Sequence, residues 1–349
     1  MKRRVLVTGG LGFIGSHLVR ELLAEPGAEV TVVDNLSGTV LEPTAIIEEI
    51  TRDRPGELDV QLRTVKSLDG QFRGAFGTIY HLASIVGPAA VLRQAGHITE
   101  SIVGNTYVAI RLAQRCGARL VNVSTSEIYG GGDRGLCRED TPRVVRGAAS
   151  ARQEYAASKL AAEVAIENLC RQNQLDAVTI RPFNVAGPRQ SGRGGFVLPR
   201  FIGQAMLGIP LTVFGDGSQL RAFTDARDVA AGMVLCAERG ASGKAYNVGN
   251  PASRTSIGEL ADLVNQVCGS WAGKRNLDPR TIYGSTYADA ADKFPDATEI
   301  MRLGWRPAYC LEDTIRDTFY SMRKLSQEDL LKLAGLSEKE TVPAALAAG

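Results

Sequence analysis

Thr8-Gly9-Gly10-Leu11-Gly12-Phe13-Ile14-Gly15 is the feature that most constrains this chain. It follows Val5-Leu6-Val7, a short apolar run of the kind that makes a buried strand. Ile14, Leu18, Leu22 and Leu23 follow at helical spacing. In a strand–loop–helix unit of this kind, Gly9 permits the tight turn and Gly12 lets a phosphate approach the backbone. Gly15 lets the helix pack closely, and the helix N-terminus faces the anion. G-x-G-x-x-G alone is a weak signal, fitting a glycine-rich turn in other α/β proteins. Here an acid, Asp34, ends the next apolar run, Val30-Thr31-Val32-Val33, nineteen residues beyond Gly15. A carboxylate there accepts ribose hydroxyls and repels a 2′-phosphate, so the expected cofactor is NAD rather than NADP.

The pattern continues. Ile79-Tyr80-His81-Leu82, Leu120-Val121-Asn122-Val123 and Val178-Thr179-Ile180 are further apolar runs, with helical patterns near 98–116 and 150–173 between them. Continuous apolar strands joined by helices predict an α/β fold, a Rossmann doubly wound parallel sheet with its ligand crevice at the strand C-termini. After Arg181-Pro182, Gly and Pro become denser. Strands at Leu211-Thr212-Val213-Phe214 and Ala245-Tyr246-Asn247-Val248, with helices near 196–207, 228–238 and 257–267, predict a smaller mixed α/β C-terminal substrate lobe. The expected division is 1–181 for the dinucleotide, 182–325 for the substrate and interleaved with the first, and 326–349 as an added helix and Ala-rich tail.

Composition narrows the function. Lys+Arg 40 against Asp+Glu 38 gives a net charge of +2, which advertises neither a nucleic-acid nor an anionic-membrane partner. No apolar run approaches the ~20 residues of a membrane span. Met1-Lys2-Arg3-Arg4 has the charges of a signal peptide, but the apolar run behind it is cut by Thr8-Gly9-Gly10, so a mature cytoplasmic start is expected. Six dispersed cysteines without a C-x-x-C pair, and three histidines, predict free thiols and no metal site.

Tyr155-Ala156-Ala157-Ser158-Lys159 places a tyrosine and a lysine on one helix face. A nearby ammonium favours phenolate and is expected to lower the tyrosine pKa, letting Tyr155 remove a hydroxyl proton while hydride leaves the same carbon. On its own the pair fits an exposed lysine beside a packed tyrosine. Downstream of a dinucleotide fingerprint it reads as catalytic.

These motifs, with Tyr80-His81-Leu82-Ala83-Ser84, Asn105-Thr106, Arg181-Pro182-Phe183-Asn184-Val185-Ala186-Gly187-Pro188-Arg189 and Arg221-Ala222-Phe223-Thr224-Asp225, resemble the extended short-chain dehydrogenase/reductases over about residues 1–325. That family comprises NAD-dependent nucleotide-sugar epimerases, dehydratases and decarboxylases. The resemblance implies cofactor contacts at Gly9, Gly12, Phe13, Ile14, Gly15, Asp34, Asn35, Ser37, Leu82, Ala83, Tyr155 and Lys159. It implies substrate contacts at Asn184, Arg189, Arg221 and Lys293. It also implies that helices near 98–116 and 150–173, apolar on more than one face, form a homodimer interface.

Thr125-Ser126-Glu127 is similar to the triplet of UDP-glucuronic acid decarboxylases, the UDP-xylose synthases, and Thr125, Ser126, Glu127, Tyr155 and Lys159 are the implied catalytic set. Ser126 stands where hexose 4,6-dehydratases carry an aspartate. Gly215, Gln219-Leu220-Arg221 and Tyr283-Gly284-Ser285-Thr286-Tyr287-Ala288-Asp289 lean the same way. The implied reaction is C4 oxidation of UDP-glucuronic acid, then decarboxylation to a UDP-4-keto-pentose or UDP-xylose. Dehydration or 4-epimerisation of a related nucleotide-sugar is the alternative, and an NAD-sensing regulatory protein a third. The chain departs from the decarboxylases at Lys293-Phe294-Pro295-Asp296, where they carry arginine first: the charge is kept and the bidentate grip is lost.

Overall fold

A computed structural model describes residues 3–39, 41–130, 135–145, 150–283 and 292–336 of the chain. The motif residues Gly284–Asp289 and the Ala-rich tail beyond 336 lie outside the described residues.

Seven strands form one parallel sheet: β1 (Arg3–Thr8), β2 (Ala28–Asp34), β3 (Glu57–Leu62), β4 (Thr78–His81), β5 (Arg119–Val123), β6 (Ala177–Pro182) and β9 (Ala245–Val248). The strand order is β9-β6-β5-β4-β1-β2-β3. It reverses at β1, so the crevice opens where β1 and β4 end side by side, with Thr8 opposite His81.

Alternation along the strands divides two cores. Val5, Val7, Val30 and Val32 face one layer, with α1 (Phe13–Leu22), α2 (Pro43–Thr51) and α6 (Ala226–Arg239). Leu6, Ile79 and Leu120 face the other, with α3 (Ile98–Cys116) and α4 (Ala151–Arg171) packed side by side. Both faces are covered, as the continuous apolar strands require.

Residues after β6 serve both parts of the molecule. β9 completes the large sheet and α6 packs on α1. A second core gathers α5 (Val197–Met206), β7 (Leu211–Phe214), α7 (Ile257–Cys268) and α8 (Leu311–Met322) around Phe201, Ile202, Leu211 and Leu260. β8 (Leu220–Ala222) carries Arg221 at its centre. The last described helix, α9 (Gln327–Ala334), buries Leu331, Leu333 and Ala334 in this second core and packs against α5. It is thus part of that core and not an appendage to it.

Candidate active site

The glycine loop leaves β1 and enters α1. A Cβ on Gly15 would lie 2.0 Å from the Gly9 carbonyl oxygen, so only glycine lets the helix sit this close. Gly12 caps α1 with no side-chain hydrogen bond, which keeps the first-turn amides available for a phosphate. The Asp34 carboxylate is 7% exposed and accepts the Leu11 amide at 3.0 Å and the Leu36 amide at 2.8 Å. It therefore fastens the glycine loop to the end of β2. A carboxylate has about four lone-pair sites, leaving capacity for ribose hydroxyls. Leu82 and Ala83 follow β4 and are held by Thr8, through its carbonyl at 3.1 Å and its hydroxyl at 3.4 Å. His81 Nδ1 lies 2.9 Å from the same hydroxyl, and burial lowers its pKa to about 3. Asn35 uses its side-chain oxygen to accept the Ser37 amide, making a local turn. The cradle fits a dinucleotide.

Across the crevice, β5 ends in Thr125-Ser126-Glu127. Thr125 caps a short turn of 3-10 helix, its hydroxyl accepting the Glu127 amide at 3.2 Å, and it also hydrogen-bonds Tyr155 on α4. Tyr155 is 9% exposed. Burial raises its pKa above the usual phenol value, Glu127 adds to the rise, and the Thr125 hydrogen bond opposes it. This corrects the expectation from the spacing of Tyr155 and Lys159. The Lys159 ammonium donates to the Val123 carbonyl at 2.8 Å, and burial has the largest effect on the phenol. Lys159 is itself brought down to about 8 by burial, with Glu163, one turn on, opposing.

Glu127 is gripped from two sides. Arg152 Nε donates to one carboxylate oxygen at 2.7 Å and the Lys293 ammonium pairs with the other. Burial alone would raise the carboxyl, but Lys293 and Arg152 outweigh it and hold it well below the usual carboxylate range. Lys293 is pushed down by burial, against the pull of Glu127. Its backbone forms a parallel bridge with Arg221, whose guanidinium lies 3.4 Å from Asp292. Thr125, Ser126, Glu127, Tyr155, Lys293 and Arg221 thus form one chain of neighbours. Arg152 belongs to it, and sequence reasoning missed it. The signal was available: Arg152 precedes Tyr155 by three residues and so shares its helix face.

Two other expected substrate residues are engaged elsewhere. Asn184 takes a left-handed backbone, φ 34°, and donates its amide to the Ala222 carbonyl at 3.2 Å, tying the end of β6 to β8. Arg189 is turned toward α1 and α2, donating to Ser16 Oγ at 2.9 Å and pairing with Glu49.

A dinucleotide cradle facing a buried Thr–Tyr pair and a lysine defines an NAD-dependent enzyme that works at a hydroxyl-bearing carbon. The chain belongs to the NAD dependent epimerase/dehydratase family, which matches residues 5–249. Its relatives include a UDP-N-acetyl-alpha-D-glucosaminuronate decarboxylase of Bacillus cytotoxicus, 28% identical over 94% of this chain and 100% of that one. UDP-glucuronic acid decarboxylase 1 of Xenopus tropicalis is 32% identical over 93% of this chain and 73% of that one. Among solved structures, a dTDP-glucose 4,6-dehydratase of Streptomyces venezuelae with NAD bound superposes with a TM-score of 0.77. It is 29% identical and covers 92% of this chain and 97% of its own. No helix among the described residues is long and apolar enough to cross a membrane, and no group of side chains there could hold a metal ion.

Proposed function

We propose that this protein oxidises a UDP-uronic acid at C4 and decarboxylates it, with UDP-glucuronate as substrate and a UDP-4-keto-pentose or UDP-xylose as product. The Arg152–Glu127–Lys293 cluster carries the reading. Two cations, Arg152 and the buried Lys293, face one carboxylate there. A uronate carboxylate entering beside Glu127 meets two charged donors, Arg152 and Lys293; an uncharged hexose offers them no anion. Ser126 in place of an acid also supports decarboxylation over dehydration.

NAD, held by the Gly9–Gly15 loop and Asp34, would supply the acceptor for the C4 hydride. Tyr155 takes the C4 hydroxyl proton as phenolate, a form that the positive charge of a bound nicotinamide would favour against the rise imposed by burial, and Thr125, its hydrogen-bond partner here, fixes the C4 oxygen. Lys159 is held by Val123 beneath the site and supplies positive charge near the departing proton. Once C4 is a ketone, the C5 carboxylate is a β-keto acid. Arg152 and Lys293 orient that carboxylate; the C5–C6 bond breaks, CO2 leaves, and the electron pair enters a C4–C5 enolate. Protonation at C5 completes the 4-keto-pentose, and hydride return to C4 gives the pentose. When CO2 departs, both cations regain Glu127 as their partner.

The test is incubation with NAD and each of UDP-glucuronate, UDP-N-acetylglucosaminuronate and dTDP-glucose, following CO2 and product mass. CO2 from UDP-glucuronate is expected. CO2 from the acetamido sugar alone would move the assignment to that substrate, which the full-length match to its decarboxylase favours. Water loss from the hexose would establish a dehydratase, and no turnover would refute the enzyme reading.

Two further points belong to this proposal. Tyr107 on α3 and Val164 on α4 are 42% and 40% exposed, which supports a homodimer through these helices. All six cysteines are free thiols, which supports a reducing cytoplasm.

A further inference from the structure

The loop at 187–196 joins the two walls of the cofactor crevice. At one end, the Pro188 carbonyl lies 2.9 Å from His17 Nε2 of α1, and Arg189 bonds Ser16 of the same helix. Arg189 holds a left-handed backbone, φ 68°, that surrounding contacts must enforce in a non-glycine residue. At the other end Gly194 meets Gly87, shortly after β4: a Cβ on Gly87 would lie 2.7 Å from the Gly194 carbonyl oxygen.

Between these anchors the sequence is Ser191-Gly192-Arg193-Gly194-Gly195. Such a glycine-rich segment loses much conformational entropy when fixed. Its middle is a turn of 3-10 helix, Gly192–Gly194, capped by the Ser191 hydroxyl, and the last helix packs on that turn. A Cβ on Gly192 would lie 2.1 Å from the Ala334 carbonyl oxygen, so the loop and the end of α9 are in backbone contact. Arg200 Nη1 donates to the Gly335 carbonyl at 2.9 Å, and a Cβ on Gly203 would lie 2.3 Å from the Ala334 Cβ. Ala334 is fully buried between them.

We propose that α9 is a positioning element of the active site. By seating Ala334 on Gly192 it holds the 187–196 strap across the crevice, so that NAD meets a preformed wall. Without α9 the strap is loose, and NAD binding must itself supply the ordering. The inference rests on NAD binding and is independent of which sugar is used.

The experiment measures NAD affinity by calorimetry for the full chain, a chain ended at Leu325, full-length Gly192→Ala, and the two changes combined. The shortened chain should bind NAD roughly tenfold more weakly, the size of ordering one or two residues. Gly192→Ala, which pushes Ala334 away, should weaken binding to a similar degree. In the shortened chain the same change should add little, because its clash partner is gone. At saturating NAD and substrate, kcat should stay within about twofold of the parent, a split that general loss of folded protein does not produce. Unchanged NAD affinity in the shortened chain, or strictly additive effects in the combined variant, overturns the proposal. If the shortened chain aggregates, full-length Gly192→Ala and Gly203→Ala decide: unchanged NAD affinity in both refutes it.

Discussion

Replacing Lys293 is the most informative single change. Its side chain is 4% exposed and its ammonium pairs with Glu127. Lys293→Ala removes one charge-assisted hydrogen bond to the substrate carboxylate, worth about 1.5–3 kcal/mol. At about 1.4 kcal/mol per decade, kcat/KM on UDP-glucuronate should fall roughly 10- to 150-fold. Stability falls less than the 3–5 kcal/mol or so of a fully buried broken pair, because Glu127 keeps Arg152. The Glu127 side chain is also 23% exposed, so a cost of about 1–3 kcal/mol is expected. Lys293→Arg keeps the charge and restores a bidentate fork, so it should match or exceed the parent. The assay is CO2 release at several substrate concentrations, with NAD affinity and thermal unfolding as controls for folding. A fully active Lys293→Ala enzyme would show that Lys293 does not handle the carboxylate. A Lys293→Ala variant impaired equally in NAD binding would show that its effect is structural.

Asp34→Ala should weaken NAD by at least one charged hydrogen bond, about 1.5–3 kcal/mol, and more if the released Leu11 amide loosens the loop; comparable NAD and NADP affinity in the parent would refute the role given to Asp34. Arg152→Ala should raise KM for the uronate while leaving NAD affinity intact, measured by initial rates and calorimetry. His81 has its pKa lowered to about 3 and His17 is lowered as well, so both stay neutral when folded and take up protons when unfolded. Their contribution is complete above the unfolded value of 6.5 and is lost as pH falls from there toward the folded values. Each adds a slope of about 1.4 kcal/mol per pH unit in that window. Denaturant titrations from pH 6 to 4 should show a shallower fall for His81→Gln than for the parent. Light scattering at micromolar concentration should give a dimer mass for the parent and a smaller one for Tyr107→Glu.

The large sheet was legible because its signals are local. Val5-Leu6-Val7, the glycine loop and Asp34 lie within one strand–helix–strand unit, and each residue type answers a steric or electrostatic need that spacing reveals. β3 was hard to see because it lies at the sheet edge and alternates in burial, with Leu62 61% exposed. α2 begins at Pro43, a start signal that carries little without the packing of Ile46 and Ile50. In the site, sequence spacing placed Tyr155 and Lys159 on one face but could not say that Val123 takes the ammonium. Burial sets the tyrosine's pKa, and burial is a property of the assembled fold. For Arg189, the Gly-Pro-Arg setting says nothing about which way a left-handed residue turns its side chain, which here meets Ser16 and Glu49. Arg152 needed only the helical period, which sets it on the face of Tyr155 three residues on.

The outermost strand of the sheet, β9, is made long after β6, the strand it pairs with. During synthesis β6 therefore has an open edge until Ala245–Val248 leave the ribosome. The nascent dinucleotide-binding half cannot close while the chain is still laying down α5, β7 and α6. A gene cut after Arg181 would encode a protein with a bare parallel edge and uncovered Val178 and Ile180, a template for aggregation. Exchange of substrate lobes between relatives must for the same reason carry α6 and β9 with the dinucleotide half, although they lie in the second half of the sequence.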